Sequence, residues 1–387
     1  MSQLNRKEEG MNIRRTLLRF AAALVAAGSL AGVSAWAADI DFGKPGTPIH
    51  LVVGYQPYYT ASWSGVIMRD KKFYEKYLPK GSTVEFQIGL QGAIIVNNML
   101  AGKQYIGYYG DMPGIVSTTK QSVADIRLVA LIGMGWDQCN SFLVRTDAPK
   151  FANDQEAIKW LNGKTVAVPK GSCTDRFAQA VFKKYNIQPS AYLNQNIEVI
   201  TSNFRAGKLD AAVMWEPTTS RLVLDGLVRK IATGYSVGEN DAGFLGMRAD
   251  LIKQRPDVVK AWLNAELDAQ LYFLDPKNAM EVAKMAKEQT TGFSEKALWM
   301  SAYGTYPKES GGNPVRIILP YTFTPEAMEL VKRATKFLYE IKSINVPQLR
   351  ADAIMPEFTQ EILKERGYKA PLGNVTELPD SAYTGPK

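Results

Sequence analysis

The chain has 387 residues, 46% of them hydrophobic and 22% charged, a composition that fills an ordinary globular core and excludes a disordered or fibrous chain. That length accommodates two lobes or one large α/β unit. The formal net charge is +8, but no Lys/Arg run or basic stripe marks a nucleic-acid surface; five of the 46 basic and two of the 38 acidic residues fall within the first 37, and the mild remaining excess suits a small anion or no charged partner at all.

The N-terminus reads as an export signal. Arg14, Arg15 and Arg19 form a basic region, Phe20 to Val33 is apolar and alanine-rich, and Ala35-Trp36-Ala37 is a small-x-small cleavage site. Residues 1–37 are therefore expected to be cleaved, leaving Ala38 as the mature start, with Met11 as an alternative initiator. The apolar run is too short for a membrane span. Arg14-Arg15 also approaches a twin-arginine signal, so both the ordinary and the twin-arginine routes stay open. No cysteine follows the cleavage site to carry a lipid. The expected destination is a bacterial periplasm.

Beyond the signal, strands alternate with helices. Ile49 to Gly54 is an apolar strand, followed by an aromatic and hydroxyl-rich loop holding Gln56, Tyr58, Tyr59 and Trp63. A helix runs through Ile67 and Phe73. Val84 to Ile88 is a strand, Ala93 to Leu100 a helix, and Tyr105 to Tyr109 a strand leading into the turn Gly110-Asp111-Met112-Pro113. Ile126 to Ile132 is a strand that ends near Trp136 and Asp137. This alternation fits a parallel α/β lobe, in which ligands sit beyond the carboxyl ends of the strands. A second α/β lobe begins near Ser141 and takes Val166–Val168, Ile197–Ile200 and Ala211–Trp215 as strands. After Pro256 the pattern is helical: Val258, Trp262, Ala265, Leu267 and Leu271 share one face, and further helices are expected near 279–288, 294–302 and 325–341. The stretch from Ala370 is rich in Pro and Gly and is expected to wander over the surface.

Two motifs carry the functional reading. Val166-Ala-Val-Pro-Lys-Gly-Ser-Cys-Thr174 is a strand, a glycine turn and a helix start. Gly171 permits close approach, and the free N–H groups and dipole at Ser172-Cys173-Thr174 favour an anion. The alternative is plain N-capping by Ser172 or Thr174. Asp210-Ala-Ala-Val-Met-Trp-Glu-Pro217 is a short buried strand that ends in Trp215 and Glu216. Trp215 reads as cleft wall or core, and Glu216 as a hinge acceptor or a partner for a ligand amine. Asp111 reads as a helix cap or an anion neighbour.

The order of these motifs, with Leu51-Val-Val-Gly-Tyr55 and Tyr108-Tyr-Gly-Asp-Met-Pro113 upstream, resembles the substrate-binding proteins of ABC importers for nitrate, taurine and alkanesulfonates, related to thiamine-precursor-binding proteins. The resemblance implies a type II periplasmic-binding-protein fold: two parallel-sheet α/β lobes joined by a two-strand hinge. Lobe 1 would comprise 38–142 plus 246–369, lobe 2 143–245, and 370–387 a tail, with crossings at 139–147 and 215–247. It implies capture of a small organic anion, an alkyl or aryl sulfonate, a taurine-like solute or an aromatic carboxylate, by a monomer that delivers it to an inner-membrane permease. Nitrate and a thiamine-precursor pyrimidine stay open. The ligand would meet Gln56, Tyr58, Tyr59, Trp63, Asp111, Trp136, Asp137, Gly171, Ser172, Cys173, Thr174, Trp215 and Glu216. In that layout Cys139 and Cys173 fall on opposite lobes, where a bridge would oppose closure, so two free thiols are expected.

Catalysis finds little support. His50 is the sole histidine, which removes His-rich zinc sites, Ser-His-Asp triads and Cys-His pairs, and no CxxC, Walker or dinucleotide fingerprint follows a strand. No metal or cofactor is expected. The fold also resembles thiamine-pyrimidine synthases, but their cysteine-rich motif and consumed histidine have no counterpart here.

Overall fold

A computed structural model describes residues 40–386, and the expected signal peptide lies outside them. The chain enters with β1 (His50–Tyr55), α1 (Ser64–Lys71), β2 (Thr83–Ile88), α2 (Gly92–Leu100), β3 (Ile106–Gly110), α3 (Asp111–Thr118) and β4 (Ile126–Gly135). It crosses to β5 (Ser141–Arg145), α4 (Asp154–Trp160), β6 (Thr165–Val168), α5 (Cys173–Tyr185), β7 (Ala191–Asn194), α6 (Ile197–Arg205), β8 (Ala211–Met214), α7 (Thr218–Leu224) and β9 (Val228–Thr233). It returns with β10 (Asp241–Arg248), then α8 (Ala249–Gln254), α9 (Pro256–Leu274), α10 (Ala279–Glu288), α11 (Glu295–Tyr303), β11 (Val315–Leu319), α12 (Pro325–Glu340), α13 (Glu357–Arg366) and β12 (Gly373–Thr376).

Two sheets result. The larger has the order β12-β11-β4-β10-β3-β1-β2 and the smaller β7-β6-β8-β5-β9. Both are mixed rather than wholly parallel. β1 is parallel to β2 and β3, but β10 runs antiparallel between β3 and β4. β6 is parallel to β7 and β8, while β5 is antiparallel to β8 and β9. The reason is the returning chain: a strand that re-enters a lobe from the far side arrives at its opposite end.

Each sheet is covered on both faces. Trp63, Trp262 and Trp299 pack between the large sheet and α1, α9 and α11. Ile95, Ile115, Leu330 and Phe337 of α2, α3 and α12 fill the other face. In the small lobe, Ile158, Phe177 and Val181 of α4 and α5 cover one face, and Ile200, Phe204 and Leu222 of α6 and α7 the other. On α5 this apolar stripe recurs at helical spacing, and the helix stops at Asn186, whose φ of 52° is left-handed.

Two expected elements are corrected. Ile197–Ile200 belongs to a helix: the Asn196 side chain accepts from the Val199 N–H at 2.9 Å, and this cap outweighs the β-branched residues that follow. The C-terminal stretch does more than wander, because residues 373–376 pair antiparallel with β11, a strand not foreseen.

The lobes are joined by residues 136–140 and 234–240. These segments run so close that Gly234 N donates to Trp136 O at 2.7 Å, and a Cβ on Gly234 would lie 1.9 Å from Glu239 O. Only glycine fits there. Trp136, expected at the ligand, stacks on Tyr235 with ring centroids 5.0 Å apart and braces the crossing.

Candidate functional site

Between the lobes lies a cavity of about 250 Å3. Lobe 1 supplies Gln56 and Tyr59 from the loop after β1, Gly92, Ala93 and Val96 from the start of α2, and Gly110, Met112 and Pro113 around the start of α3. Lobe 2 supplies Pro169 to Cys173 and Trp215. The strand-end loops thus meet at one place, as expected of open α/β sheets.

The geometry of the α5 start bears on both readings of the glycine turn. Ser172 is the N-cap in extended conformation, yet its side chain caps nothing. Its hydroxyl lies 2.6 Å from Pro169 O and 2.6 Å from the Thr174 hydroxyl. The first-turn N–H groups, which a helix cannot satisfy internally, keep their capacity for an anion. Gly171 makes the turn with φ +77°, but its own N–H donates to Asp175 Oδ2 at 2.8 Å. Thr174 is fully buried and supports Ser172 without lining the cavity.

Lys170 is the one charged side chain among the lining residues described, and its ammonium lies 4.9 Å from the Tyr192 ring centroid. The remaining polar groups are neutral amides and hydroxyls: Gln56, Gln91, Asn97, Tyr59 and Ser172. Gln56 is buried, and its Oε1 has no hydrogen-bond partner among the described residues. This oxygen can only accept a hydrogen bond, so it answers a donor and not an anion.

Several expected ligand contacts point elsewhere. Trp63 is wholly buried and donates its indole N–H to Pro57 O at 2.9 Å. Tyr58 lies in a neighbouring cavity, where its hydroxyl meets the Thr291 N–H at 3.2 Å. Asp111 opens α3, accepts the Met112 N–H and turns its carboxylate to Arg176 at 3.1 Å, behind the cavity. That ion pair spans the lobes, since Arg176 stands on α5; Arg176 also contacts Glu239 and donates to Asn240 O at 2.6 Å. Asp137 and Glu216 are buried at the hinge: Asp137 pairs with Arg316 at 2.9 Å and Glu216 with Lys230 at 2.6 Å. Glu216 also accepts the Ser220 N–H and hydroxyl, each at 2.9 Å, which satisfies it as a hinge acceptor and leaves nothing for a ligand amine. Burial raises the Asp137 pKa against the pull of Arg316, and burial lowers that of Lys230 against the pull of Glu216.

The cysteines are bridged. Cys139 and Cys173 form a disulfide with Cα atoms 6.0 Å apart, which overturns the expectation of free thiols. Cys139 lies in the hinge segment and not on the facing wall of lobe 1. The bridge therefore ties the α5 start to the hinge segment, where both sulfurs pack beside Tyr59 and Ala61.

Sequence reasoning passed over Arg176, Lys230 and Arg316. A signal existed for Arg316, a lone charge in the apolar run Val315-Arg-Ile-Ile-Leu319 that needs a buried partner; Arg176 beside Asp175 and Lys230 beside Arg229 carry no such mark.

Asp241 opens β10 behind the cavity, accepts from the Tyr59 hydroxyl at 2.5 Å and from Cys139 N at 3.2 Å. Burial lifts its pKa to about 8, and the neighbouring Asp111 charge adds to this while Tyr59, Cys139 N and Arg176 oppose it. The folded state thus holds a proton that the unfolded chain releases near the ordinary carboxylate value. Stability should fall as pH rises from that value through about 8 and then level off. Asp241→Asn should flatten this part of the profile, measured as denaturation midpoint against pH. An unchanged slope would show that Asp241 is ionised throughout.

The NMT1-like family profile matches residues 44–287. The taurine-binding periplasmic protein of Escherichia coli is 26% identical over 251 residues, covering 62% of this chain and 73% of that one. Among solved structures, the alkanesulfonate-binding protein SsuA from Xanthomonas axonopodis pv. citri bound to MOPS aligns with a TM-score of 0.62 and 19% identity, over 81% of this chain and 99% of that one. The periplasmic nitrate-binding protein NrtA from Synechocystis aligns with a TM-score of 0.62 and 16% identity, over 84% and 90%.

Proposed function

Because the chain belongs to the NMT1-like family, we propose that it is the periplasmic solute-binding component of an ABC importer, which captures a small organic anion between its lobes and hands it to a membrane permease. The observation that carries this reading is a cavity walled by both lobes, with the α5 start on one side and no acidic side chain among its described lining residues. Such a cavity favours closure only when a ligand contributes contacts to both lobes at once. It works as a monomer, each chain supplying a complete cavity.

The solute is an alkyl or aryl sulfonate or an aromatic carboxylate. Its anionic end sits at the α5 first turn, and its body lies among Val96, Met112, Pro113, Tyr59 and Trp215. Taurine fits less well, since no lining carboxylate neutralises its ammonium. Nitrate would leave most of the 250 Å3 unfilled. Catalysis is not part of this reading: both cysteines are bridged, and His50 is an exposed residue at the start of β1, hydrogen-bonded to the Thr83 hydroxyl at 2.8 Å.

The test is a thermal-shift screen of the mature protein with alkanesulfonates, aryl sulfonates, aromatic carboxylates, taurine, nitrate and thiamine-precursor pyrimidines. A true ligand at a hundred times its Kd stabilises by about 2.7 kcal/mol, which a melting curve resolves. Trp215→Ala should weaken the best ligand by about tenfold or more, as removal of a buried aromatic anchor does. Ser172→Ala should weaken it by a smaller factor through the loosened turn. If neither variant changes affinity, the cavity is not the site. A neutral pyrimidine as the best ligand would shift the binding role to Tyr59, Trp215 and the amides.

A further inference from the structure

A second cavity of about 290 Å3 also lies between the lobes and shares Trp215 and Gln91 as walls with the first. Lobe 1 contributes Tyr58 and Phe293 to it, and lobe 2 contributes Thr218 and Arg221. The guanidinium carbon of Arg221 lies over the Phe293 ring, 4.7 Å from its centroid, and one Nη donates to Gly292 O at 3.3 Å. Its Nε is buried and has no hydrogen-bond partner among the described residues, and no carboxylate there lies within ion-pair distance of the group. A cation that lines a cavity between the lobes, with an unpartnered donor and no carboxylate beside it, is equipped for an anion. Glu198, the acidic residue at this cavity, is exposed and so screened by solvent.

We propose that the second cavity is a distal subsite for an anionic group, so that the preferred solute is an elongated organic dianion held at the α5 start by one end and at Arg221 by the other, passing the Trp215 indole between them. This rests on the solute-binding reading above and adds the chemistry of the solute's far end. Burial lowers the Arg221 pKa, with the Asp225 charge opposing, and a ligand anion would further favour the charged guanidinium.

The experiment is calorimetric titration of the mature protein and of Arg221→Gln with three series: alkanesulfonates of increasing chain length, the same chains ending in a carboxylate, and the same chains ending in an amine. At the length that spans both cavities, the carboxylate series should bind the native protein about tenfold or more tighter than the plain series, the gain expected of one charge-assisted hydrogen-bonded contact. Arg221→Gln should erase that gain and leave the plain series unchanged, which also shows that the variant is folded. The inference fails if the native protein shows no gain or if the gain survives in Arg221→Gln. It fails equally if the amine series is the tighter, since Glu198 would then define the subsite. If no sulfonate of any series binds the native protein, this inference fails, while the aromatic carboxylates and pyrimidines of the thermal-shift screen decide separately whether the solute-binding reading fails too.

Discussion

Arg316→Met should lower the unfolding free energy by about 3–5 kcal/mol, the cost of stranding buried carboxylates without their partner. Arg316 is almost wholly buried on β11. Its Nε reaches Asp137 at 2.9 Å, and its two terminal nitrogens bond Gly304 O, Met300 O and Ser301 O, with Glu216 at 3.8 Å. Lys230 is the other cation of the group and lies 4.2 Å from the Tyr306 ring centroid. With Arg316 gone, Asp137 and Glu216 would share one ammonium and Gly304 O would lose its donor, while Met300 O keeps the Gly304 N–H and Ser301 O keeps the Gln138 amide. Denaturant unfolding measures this directly. Arg316→Lys should recover part of the loss, since it keeps the charge but not the planar fork. A loss below about 1 kcal/mol would mean that water or rearrangement satisfies the carboxylates, as at exposed ion pairs. The group also links the two sheets: Asp137 leads into the small lobe, Glu216 follows β8, Lys230 stands on β9 and Arg316 on β11 of the large sheet.

The double substitution Cys139→Ser with Cys173→Ser should cost about 3–4 kcal/mol by the loop-entropy account, because the bridge closes a loop over a sequence separation of 34. It should also weaken the ligand, since Cys173 lines the cavity and the bridge holds the α5 start in place. Melting of native and variant protein gives the first quantity, and titration with the best screened anion the second. Equal stability would place the constraint in native packing alone. Unchanged affinity would show that the turn around Gly171 positions α5 without the bridge.

Much of the architecture was legible because it is local. Alternating strands and helical stripes need only periodicity, and Ile126–Gly135, Ala279–Glu288 and Pro325–Glu340 stand close to where their patterns put them. The error at Ile197–Ile200 is also local: its β-branched residues suggest a strand, and the Asn196 cap makes them a helix. β12 was missed for the opposite reason, since its partner β11 lies more than fifty residues upstream.

The candidate site divides along the same line. The order of motifs brought Gln56, Tyr59, Gly171, Ser172, Cys173 and Trp215 to one cavity, because strand-end loops must gather at one edge of an α/β sheet. By itself, then, the sequence determined the elements, their class of fold and the loops that form the cleft. Only the tertiary structure decided where the charges go. Asp111, Asp137 and Glu216 look like ligand groups until Arg176, Arg316 and Lys230 are set beside them, at separations of 65, 179 and 14 residues. It also decided that Cys139 meets Cys173, and that Trp63 serves the core while Trp215 serves the cleft. The physical reason is that a side chain's type is local but its desolvation and its partners are not: a buried carboxylate turns toward whichever cation the fold delivers, and periodicity carries no record of that meeting.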